Sequence, residues 1–232
     1  MIGILQAPNL AGLEWVRYGF TTRGGGVSSA PYDSLNLRFL SEDAEENVRE
    51  NFARVAEVVG LPLEQFVMTE QTHSTNVRAV TAEDAGRGVV RDGFEGVDGL
   101  MTNVPGLVLA AYCADCALIY VVDANGKAVG IAHAGGVGTQ AGMAGEIVRR
   151  MCAEYNLQPA ELVCAVSPCI CGNCYEFDIK AANFGQLVDA GVPAENIFVS
   201  EHCTCEETDL FFSHRASAPG HTGRQIGFVG LS

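Results

Sequence analysis

Apolar residues form nearly uninterrupted runs in the middle of the chain, at residues 106–111, 117–122 and 127–132. Their length, and the glycine or polar residues between them, predict β-strands. Because apolar side chains occupy both phases of the strand repeat, we expect both faces of these strands to be covered by other elements.

Two longer segments place apolar residues every three or four positions, which predicts amphipathic helices over residues 43–60 and 140–155. The first begins with acidic residues, which favour a helix N-terminus, and it is stopped by Gly60 and Pro62. A third helix is predicted over residues 179–190.

Shorter strands are predicted in a run ending near Phe20 and at residues 66–69, 77–80, 98–102, 162–166, 197–200 and 225–231. No internal repeat, low-complexity tract or Pro/Ser-rich linker divides the chain. We therefore expect residues 1–232 to form a single domain of mixed α and β structure.

Charge narrows the range of partners. Acidic residues outnumber basic ones by 28 to 14, which gives a formal net charge of −14. A surface of this sign repels phosphate backbones, so we exclude nucleic acids and anionic membranes as partners.

The N-terminus lacks a basic signal start, and no apolar run reaches the roughly 18 residues of a membrane span, so we expect a cytoplasmic protein. The pattern carries no signal about oligomeric state.

One histidine interrupts the apolar pattern. His133 stands at the end of an apolar run and shortly before the glycines that begin at Gly135, where a strand end can aim a side chain into a cleft. His73 lies in a polar segment between two predicted strands, and Cys116 follows Asp115 between two apolar runs. Two imidazoles and a thiolate suit Zn²⁺, and three protein ligands leave a fourth position for water or substrate. Two other interpretations use the same residues. In one, His133 is a histidine of the hydrophobic core; in the other, Cys116 and His133 form a metal-free nucleophile–base pair.

The nine cysteines also need an interpretation. In a reducing compartment they are thiols, metal ligands or catalytic groups rather than a disulfide framework. The pairs Cys113-x-x-Cys116 and Cys171-x-x-Cys174 resemble two halves of a zinc knuckle, but the first pair interrupts apolar strands. A redox pair at Cys113 is less favoured because no amphipathic helix starts there. We interpret Cys169, Cys203 and Cys205 as buried thiols, the usual state of cysteine in a cytosolic protein.

A glycine-rich loop provides a candidate anion site. Arg23 is followed by glycines, and a guanidinium beside freely accessible backbone N–H groups suits an oxyanion or phosphate. A tight turn is the alternative, and the P-loop consensus is absent. We assign Arg23, Gly24 and Gly25 to anion binding and Gln71 to substrate or anion binding. Two further arginines are interpreted as loop charges or ion-pair partners, Arg215 and Arg224.

The order of short motifs resembles the YfiH/laccase-domain family, whose members have been labelled polyphenol oxidases and are also described as zinc-dependent purine nucleoside phosphorylases. The matching motifs span nearly the whole chain. They are FTTRGGGVS (20–28), LNL (35–37), QTH (71–73), VDGLMT (97–102), ADC (114–116), AHAG (132–135), CYE (174–176), CTC (203–205), FFSHR (211–215) and TGR (222–224).

The resemblance implies an α+β fold, a mixed β-sandwich core covered by helices. It maps the zinc ligands onto His73, Cys116 and His133. The implied activity is phosphorolysis of adenosine- or inosine-type nucleosides, a transferase reaction, with hydrolytic adenosine deamination as a second activity. Nucleoside and phosphate are then the small-molecule partners. Arg23, Asp115 and Cys116 are the implied catalytic groups, with Arg23 holding an anion and Asp115 orienting a ligand.

The chain departs from the family pattern after Gly135. Members usually continue as HAGW-R-G, whereas Gly136 and Val137 stand here in place of the tryptophan and the arginine. These losses remove a stacking surface and a bidentate donor. Two alternatives to a phosphorylase therefore remain open. One is a metal-free cysteine hydrolase that uses Cys116 and His133, and the other is a diverged, non-catalytic binder of metal or nucleoside.

Overall fold

The structure, a computed structural model, describes residues 2–39, 41–217 and 221–232. Four α-helices occur in these ranges, α1 (Glu45–Val59), α2 (Gly136–Gln140), α3 (Met143–Tyr155) and α4 (Ile179–Asp189). The strands of the same ranges are β1 (Ile4–Leu5), β2 (Val16–Thr21), β3 (Phe66–Glu70), β4 (Val77–Ala79), β5 (Phe94–Glu95), β6 (Gly99–Thr102), β7 (Val108–Cys113), β8 (Ala117–Asp123), β9 (Val129–Ala134), β10 (Leu162–Val166), β11 (Ile197–Val199) and β12 (Gln225–Leu231).

The strands form two mixed six-stranded sheets. The first has the order β1-β2-β12-β7-β3-β5 and the second has the order β11-β10-β8-β9-β6-β4. Antiparallel pairs predominate, with parallel pairs at β3–β7 and β3–β5 in the first sheet and at β10–β11 and β4–β6 in the second. The α+β fold class is confirmed.

Helices cover the outer faces of both sheets. Leu109 of β7 and Leu118 of β8 pack in the core between the sheets. The next residue on each strand points the other way, because side chains alternate across a strand. Ala110 packs in the core beneath α1, and Ile119 packs in the core beneath α3 and α4. This two-sided cover explains why these strands are apolar throughout, as their sequence predicted.

The helix predicted over residues 140–155 is divided in the structure. Gly142 adopts φ +90° between α2 and α3, a left-handed conformation that ends one helix before the next begins. The first helix starts earlier than predicted, with Gly135 as its N-cap. Gly60, at φ +75°, ends α1 as predicted. In the described ranges, no helix combines the length and apolar character needed to cross a membrane.

Candidate metal centre and its cleft

Strand register brings three chemically active side chains to one end of the second sheet. His133 near the end of β9 pairs with Leu118, two residues after Cys116, at the start of β8. On the other side of β9, Ala132 pairs with Gly99, the first residue of β6, so Asp98 also lies at this end. The side chains of Asp98, Cys116 and His133 are therefore neighbours although they are distant in sequence.

Asp98 organises the loop that carries His73. Its carboxylate accepts hydrogen bonds from the backbone N–H groups of Thr72, His73 and Ser74, at 3.0, 3.0 and 2.8 Å. The hydroxyl of Ser74 donates a further bond at 2.8 Å. The backbone of His73 is held at φ +62°, a conformation that non-glycine residues adopt rarely and that this network stabilises. The loop after β3 thus turns the His73 imidazole toward β8 and β9.

Asp98 also fixes His133. The Nδ1 atom of His133 lies 2.8 Å from Oδ1 of Asp98, and the backbone N–H of His133 donates to the Asp98 carbonyl at 2.7 Å. Burial favours a neutral imidazole, but the hydrogen bonds to Asp98 and Cys116 outweigh it and raise the pKa of His133 to about 9. Burial would likewise raise the pKa of Asp98, yet its hydrogen bonds from His133 and Ser74 hold that pKa well below the usual range. The other ring nitrogen of His133 faces Cys116.

His73, Cys116 and His133 converge on one point. Their candidate ligand atoms all lie within 4.8 Å of one another. Gly135 leaves the space for this meeting, because a Cβ atom at that position would lie 2.6 Å from Nδ1 of His73 and 2.7 Å from Sγ of Cys116. A nitrogen, a sulfur and a nitrogen around a glycine-cleared space form a ligand set that fits Zn²⁺.

The three residues line a cleft of about 560 Å³. Asp115, beside Cys116, is buried in its wall and uses both carboxylate oxygens. The Thr204 hydroxyl donates to one at 2.7 Å, and the backbone N–H of Arg215 donates to the other at 2.8 Å. Asp115 thus joins two loops of the wall to the strand connection that carries Cys116.

Arg23 does not join this group. Its guanidinium donates to the carbonyls of Asp33 and Thr208, at 2.9 and 2.6 Å, and packs over the Phe212 ring. Arg23, Gly24 and Gly25 are absent from the described lining of the cleft. The glycine-rich loop ties together neighbouring loops in this structure.

Gln71 does line the cleft, but its side chain is engaged in backbone pairing. Its amide nitrogen donates to the carbonyl of Tyr112 at 2.9 Å, and its amide oxygen accepts from the N–H of Tyr112 at 3.0 Å. Gln71 therefore anchors the start of the His73 loop to the end of β7.

Three arginines line the cleft, Arg38, Arg215 and Arg224, and the sequence alone assigns none of them to an anion site. Nε of Arg38 is buried and has no hydrogen-bond partner among the described residues. Nη1 of Arg224 donates to the carbonyls of Thr222 and Gly223. Burial and the nearby charge of Arg38 lower the pKa of Arg224. Arg224 belongs to the TGR motif, which marks it as a candidate residue in the sequence. Arg38 belongs to none of the motifs named above.

Tyr175 occupies the space beside Gly136. A Cβ atom at residue 136 would lie 2.2 Å from the Tyr175 hydroxyl, so a tryptophan there is incompatible with this tyrosine position. The Tyr175 ring lines the cleft, and the guanidinium of Arg215 lies 5.4 Å from its centroid. An aromatic wall and an arginine are therefore present although the two residues after Gly135 are small or aliphatic.

Comparisons with known proteins show to which family the chain belongs. Residues 17–182 and 175–232 match the family model described as multi-copper polyphenol oxidoreductase laccase. The purine nucleoside phosphorylase YlmD of Geobacillus stearothermophilus is 37% identical in an alignment 244 positions long. This alignment covers 91% of this chain and 89% of that protein. The crystal structure of YlmD from the same organism has a TM-score of 0.93 at 36% identity, covering 99% of this chain and 96% of that chain.

A second solved structure, the hypothetical protein YfiH of Bacillus licheniformis, has a TM-score of 0.91 at 34% identity and covers 94% of each chain. The match to the family model extends over most of the sequence, from residue 17 to the C-terminus. The chain therefore belongs to the multi-copper polyphenol oxidoreductase laccase family, the YfiH/laccase-domain family that its motifs resemble.

Proposed function

We propose that this protein is a zinc-dependent purine nucleoside phosphorylase that cleaves adenosine- or inosine-type nucleosides with inorganic phosphate. The carrying observation is the cleft itself, in which an open His73, Cys116 and His133 ligand set shares one cavity with three arginines and an aromatic wall. The names of the relatives support the same activity. The nine cysteines are all free thiols, which supports a cytoplasmic location.

The ligand set supports zinc. Catalytic zinc sites use three protein ligands and keep a fourth position open, and bound Zn²⁺ supplies a Lewis acid for an oxygen atom of the substrate. Asp98 provides the support that such sites need, since it fixes the ring orientation of His133 from the side opposite Cys116. A His₂Cys set also suits blue copper, but those sites add a weak axial ligand such as methionine. Glutamine can also serve as that ligand, but the described lining of this cleft contains no methionine, and the amide of its Gln71 is paired with the backbone of Tyr112.

Arg38 and Arg224 are our candidates for holding phosphate. Both line the cleft, and neither forms an ion pair with a carboxylate among the described residues. Two neighbouring guanidinium groups repel each other, and an anion between them removes that cost. In a chain of net charge −14, such an uncompensated cationic pair is a specific feature. In this proposal Arg38 and Arg224 bind the anion that the sequence assigned to Arg23.

Tyr175 is our candidate wall for the nucleoside. Its ring faces the cavity that His73 and His133 also line, so a purine can pack against it while its ribose lies near the metal ligands. In phosphorolysis the bond from ribose C1′ to the base nitrogen breaks with its electron pair going to the base. A phosphate oxygen forms the new bond to C1′. The role of the cleft is to hold the phosphate and the nucleoside in line and to exclude bulk water.

Asp115 acts as a positioning residue in this proposal. Because both of its carboxylate oxygens accept hydrogen bonds from the cleft wall, it is suited to fix the loops around the substrate. Cys116, directly after it, is then held in place as a metal ligand.

A second candidate function rests on one specific observation. Asp98, His133 and Cys116 stand in hydrogen-bonded order, as an orienting acid, a base and a nucleophile do in cysteine hydrolases. The position of His73 argues for the metal instead. A Cys–His–Asp triad has no use for a second imidazole, yet Asp98 holds His73 in a rare backbone conformation beside the thiol.

A nucleoside panel tests the proposal. Purified protein is incubated with adenosine, inosine and guanosine, with and without phosphate and a chelator, and products are separated by chromatography. We expect free base and ribose 1-phosphate that depend on both phosphate and metal. Inosine formed from adenosine without phosphate would reveal deamination. No product from any nucleoside in the zinc-loaded protein would favour the non-catalytic binder.

Variants then assign the anion site. Arg38→Gln and Arg224→Gln should each raise the KM for phosphate by about tenfold or more, which corresponds to losing one charge-assisted hydrogen bond. Arg49→Gln is the control, because Arg49 forms an exposed ion pair with Glu45 on α1. An unchanged phosphate KM in both cleft variants would refute the role of the two arginines.

Alkylation of Cys116 separates the two candidate functions. A zinc-bound thiolate is shielded from iodoacetamide until a chelator removes the ion, whereas a free nucleophilic thiolate reacts at once. We expect the chelator to accelerate modification of Cys116, read by peptide mass spectrometry, and His73→Ala to lose zinc and activity together. Fast modification of untreated protein, together with an active His73→Ala variant, would establish the cysteine hydrolase instead.

A further inference from the structure

A second group of metal-ligating side chains lies on two loops beside the cleft. The sulfur atoms of Cys171, Cys174 and Cys203 and a carboxylate oxygen of Glu206 all lie within 4.8 Å of one another. The sequence alone compares Cys171-x-x-Cys174 with Cys113-x-x-Cys116 and predicts a buried thiol at Cys203. Cys203 is buried in the structure, where it lies beside Cys171 and Cys174 together with Glu206.

The fold fixes this meeting through adjacent parallel strands. β10 and β11 pair in parallel, so the loops that follow them leave the same edge of the sheet. A bridge between Cys169 and Cys203 continues the pairing beyond the strands, and the N–H of Thr204 donates to the Cys169 carbonyl at 3.2 Å. The two loops are therefore joined by backbone hydrogen bonds directly beside the four donors.

The two loops have the same local arrangement. Donors occur at the first and fourth positions of each, Cys171-x-x-Cys174 and Cys203-x-x-Glu206. In each loop the N–H of the residue after the second donor donates to the carbonyl of the first donor, Tyr175 to Cys171 at 3.1 Å and Glu207 to Cys203 at 3.0 Å. The N–H of Cys171 also donates to the Cys203 sulfur at 3.3 Å, so the two turns are joined directly at the donor atoms.

The distances also fit a single ion. Sγ of Cys171 lies 3.5 Å from Oε1 of Glu206, and Sγ of Cys174 lies 3.6 Å from the same oxygen. With zinc–sulfur bonds of about 2.3 Å and zinc–oxygen bonds of about 2.0–2.2 Å, ligand atoms of a tetrahedral site are about 3.5–3.8 Å apart. Neighbouring Cys205 touches Cys174 but is not part of the group of four.

We propose that Cys171, Cys174, Cys203 and Glu206 bind a second Zn²⁺ ion, in a closed structural site distinct from the catalytic centre. Four protein ligands leave no open position, which is the arrangement of structural rather than catalytic zinc. The C-x-x-C spacing is typical of such sites, and Glu206 takes the place that a fourth cysteine has in a paired knuckle.

The position of this site gives it a role in shaping the cleft. Tyr175 follows Cys174 and lines the cleft, while Thr204 follows Cys203 and donates to Asp115 at 2.7 Å. An ion that joins Cys174 to Cys203 therefore braces the aromatic wall against the loop that holds Asp115. The second zinc stabilises the cleft without contacting the substrate.

Metal content tests the proposal in the full-length protein. We expect two zinc ions per chain by elemental mass spectrometry in protein purified under reducing conditions without chelator, and one in His73→Ala. Cys174→Ser should lose the structural ion and keep the other. Cys152→Ser is the matched control, since Cys152 is a partly buried thiol on α3 outside both groups, and it should keep two.

Two further readouts cover a Cys174→Ser variant that fails to fold. Glu206→Ala changes an exposed side chain, and it should release one zinc ion to a colorimetric chelator at least about tenfold faster than the wild type. Cobalt loaded into His73→Ala should give the strong thiolate-to-metal absorption of a three-cysteine site.

Three results would overturn the proposal. The first is wild-type protein with a single zinc ion that His73→Ala removes, together with a Cys171–Cys174 disulfide in non-reducing peptide maps. The second is retention of two ions, released at wild-type rates, in Glu206→Ala. The third is loss of one ion in Cys205→Ser while Glu206→Ala keeps both, which would assign the fourth ligand to Cys205.

Discussion

Gly135 clears the space in which His73 and Cys116 meet. It has no side chain because a Cβ atom would overlap both ligand atoms, at 2.6 and 2.7 Å. The glycine two residues after His133 is therefore required by the close approach of His73 and Cys116, since its backbone φ of −74° is open to any residue.

Gly135→Ala should weaken zinc binding by at least about tenfold while the protein remains folded, because one methyl group displaces the two ligands from their common point. Zinc affinity measured by competition with a chelator, and folding by circular dichroism, check this. Gly24→Ala is the matched control, because nothing lies within 4 Å of a Cβ atom there. Equal zinc affinity in the two variants would show that Gly135 is not needed for the site.

Asp98 is the second residue whose replacement is informative. Asp98→Asn keeps the shape of the side chain but removes the charge that orients His133, and replaces one acceptor of the His73 loop with a donor. We expect zinc affinity to fall about 10–100-fold.

The control for this variant is Asp123→Asn. Asp123 is also a buried carboxylate that accepts backbone hydrogen bonds, from Asn125 and Lys127, but it lies at the other end of β8. That variant should lose stability in urea and keep its zinc. A comparable loss of zinc from both would reduce Asp98 to a general structural role.

At the level of elements, α3 stabilises the second sheet through one row of apolar side chains. Ile147 is fully buried in the core that α3 and α4 share with this sheet. Ile147→Ala should lower the free energy of unfolding by about 2–5 kcal/mol, because it removes three buried carbons and leaves a cavity. Val58→Ala on α1, where the side chain is 55% exposed, should change it by less than about 0.5 kcal/mol. Urea unfolding curves of both variants measure the difference.

The strands and helices were largely predictable because their signal is local. The apolar runs became β7, β8 and β9, and the spacing of apolar residues located α1. The break at Gly142 was missed because a glycine within a helical pattern is compatible with a continuous helix, and only its φ of +90° reveals the division. The start of α2 was missed because Gly136–Gln140 has little apolar periodicity.

The site was predictable only in part. His73, Cys116 and His133 could be chosen by residue type, but Asp98 could not, because its role depends on the pairing of Gly99 with Ala132. Arg38 carries no local signal, and its importance arises from a buried Nε atom without a partner. Sequence order alone gives no account of which strands become neighbours, and these residues depend on that pairing.

On the scale of the whole molecule, the charge of the arginine side chains in the cleft is opposite in sign to the net charge of the protein. The protein carries a net charge of −14, yet three arginines, Arg38, Arg215 and Arg224, line the same cleft. Acidic surroundings discourage large polyanions, while a local cationic cleft remains suited to a small anion. This distribution agrees with a small phosphate-containing substrate pair rather than a nucleic acid.

The position of the metal ligands on connections between the two sheets has a kinetic consequence. His73 lies between β3 of the first sheet and β4 of the second, and Cys116 lies between β7 of the first and β8 of the second. The three proposed ligands meet only after the sheets have docked, so we expect the proposed zinc ion to bind late in folding. Zinc should therefore slow unfolding without accelerating refolding. Stopped-flow traces with zinc and with a chelator measure both rates, and a zinc-accelerated refolding phase would mean that the ligands assemble before the sheets do.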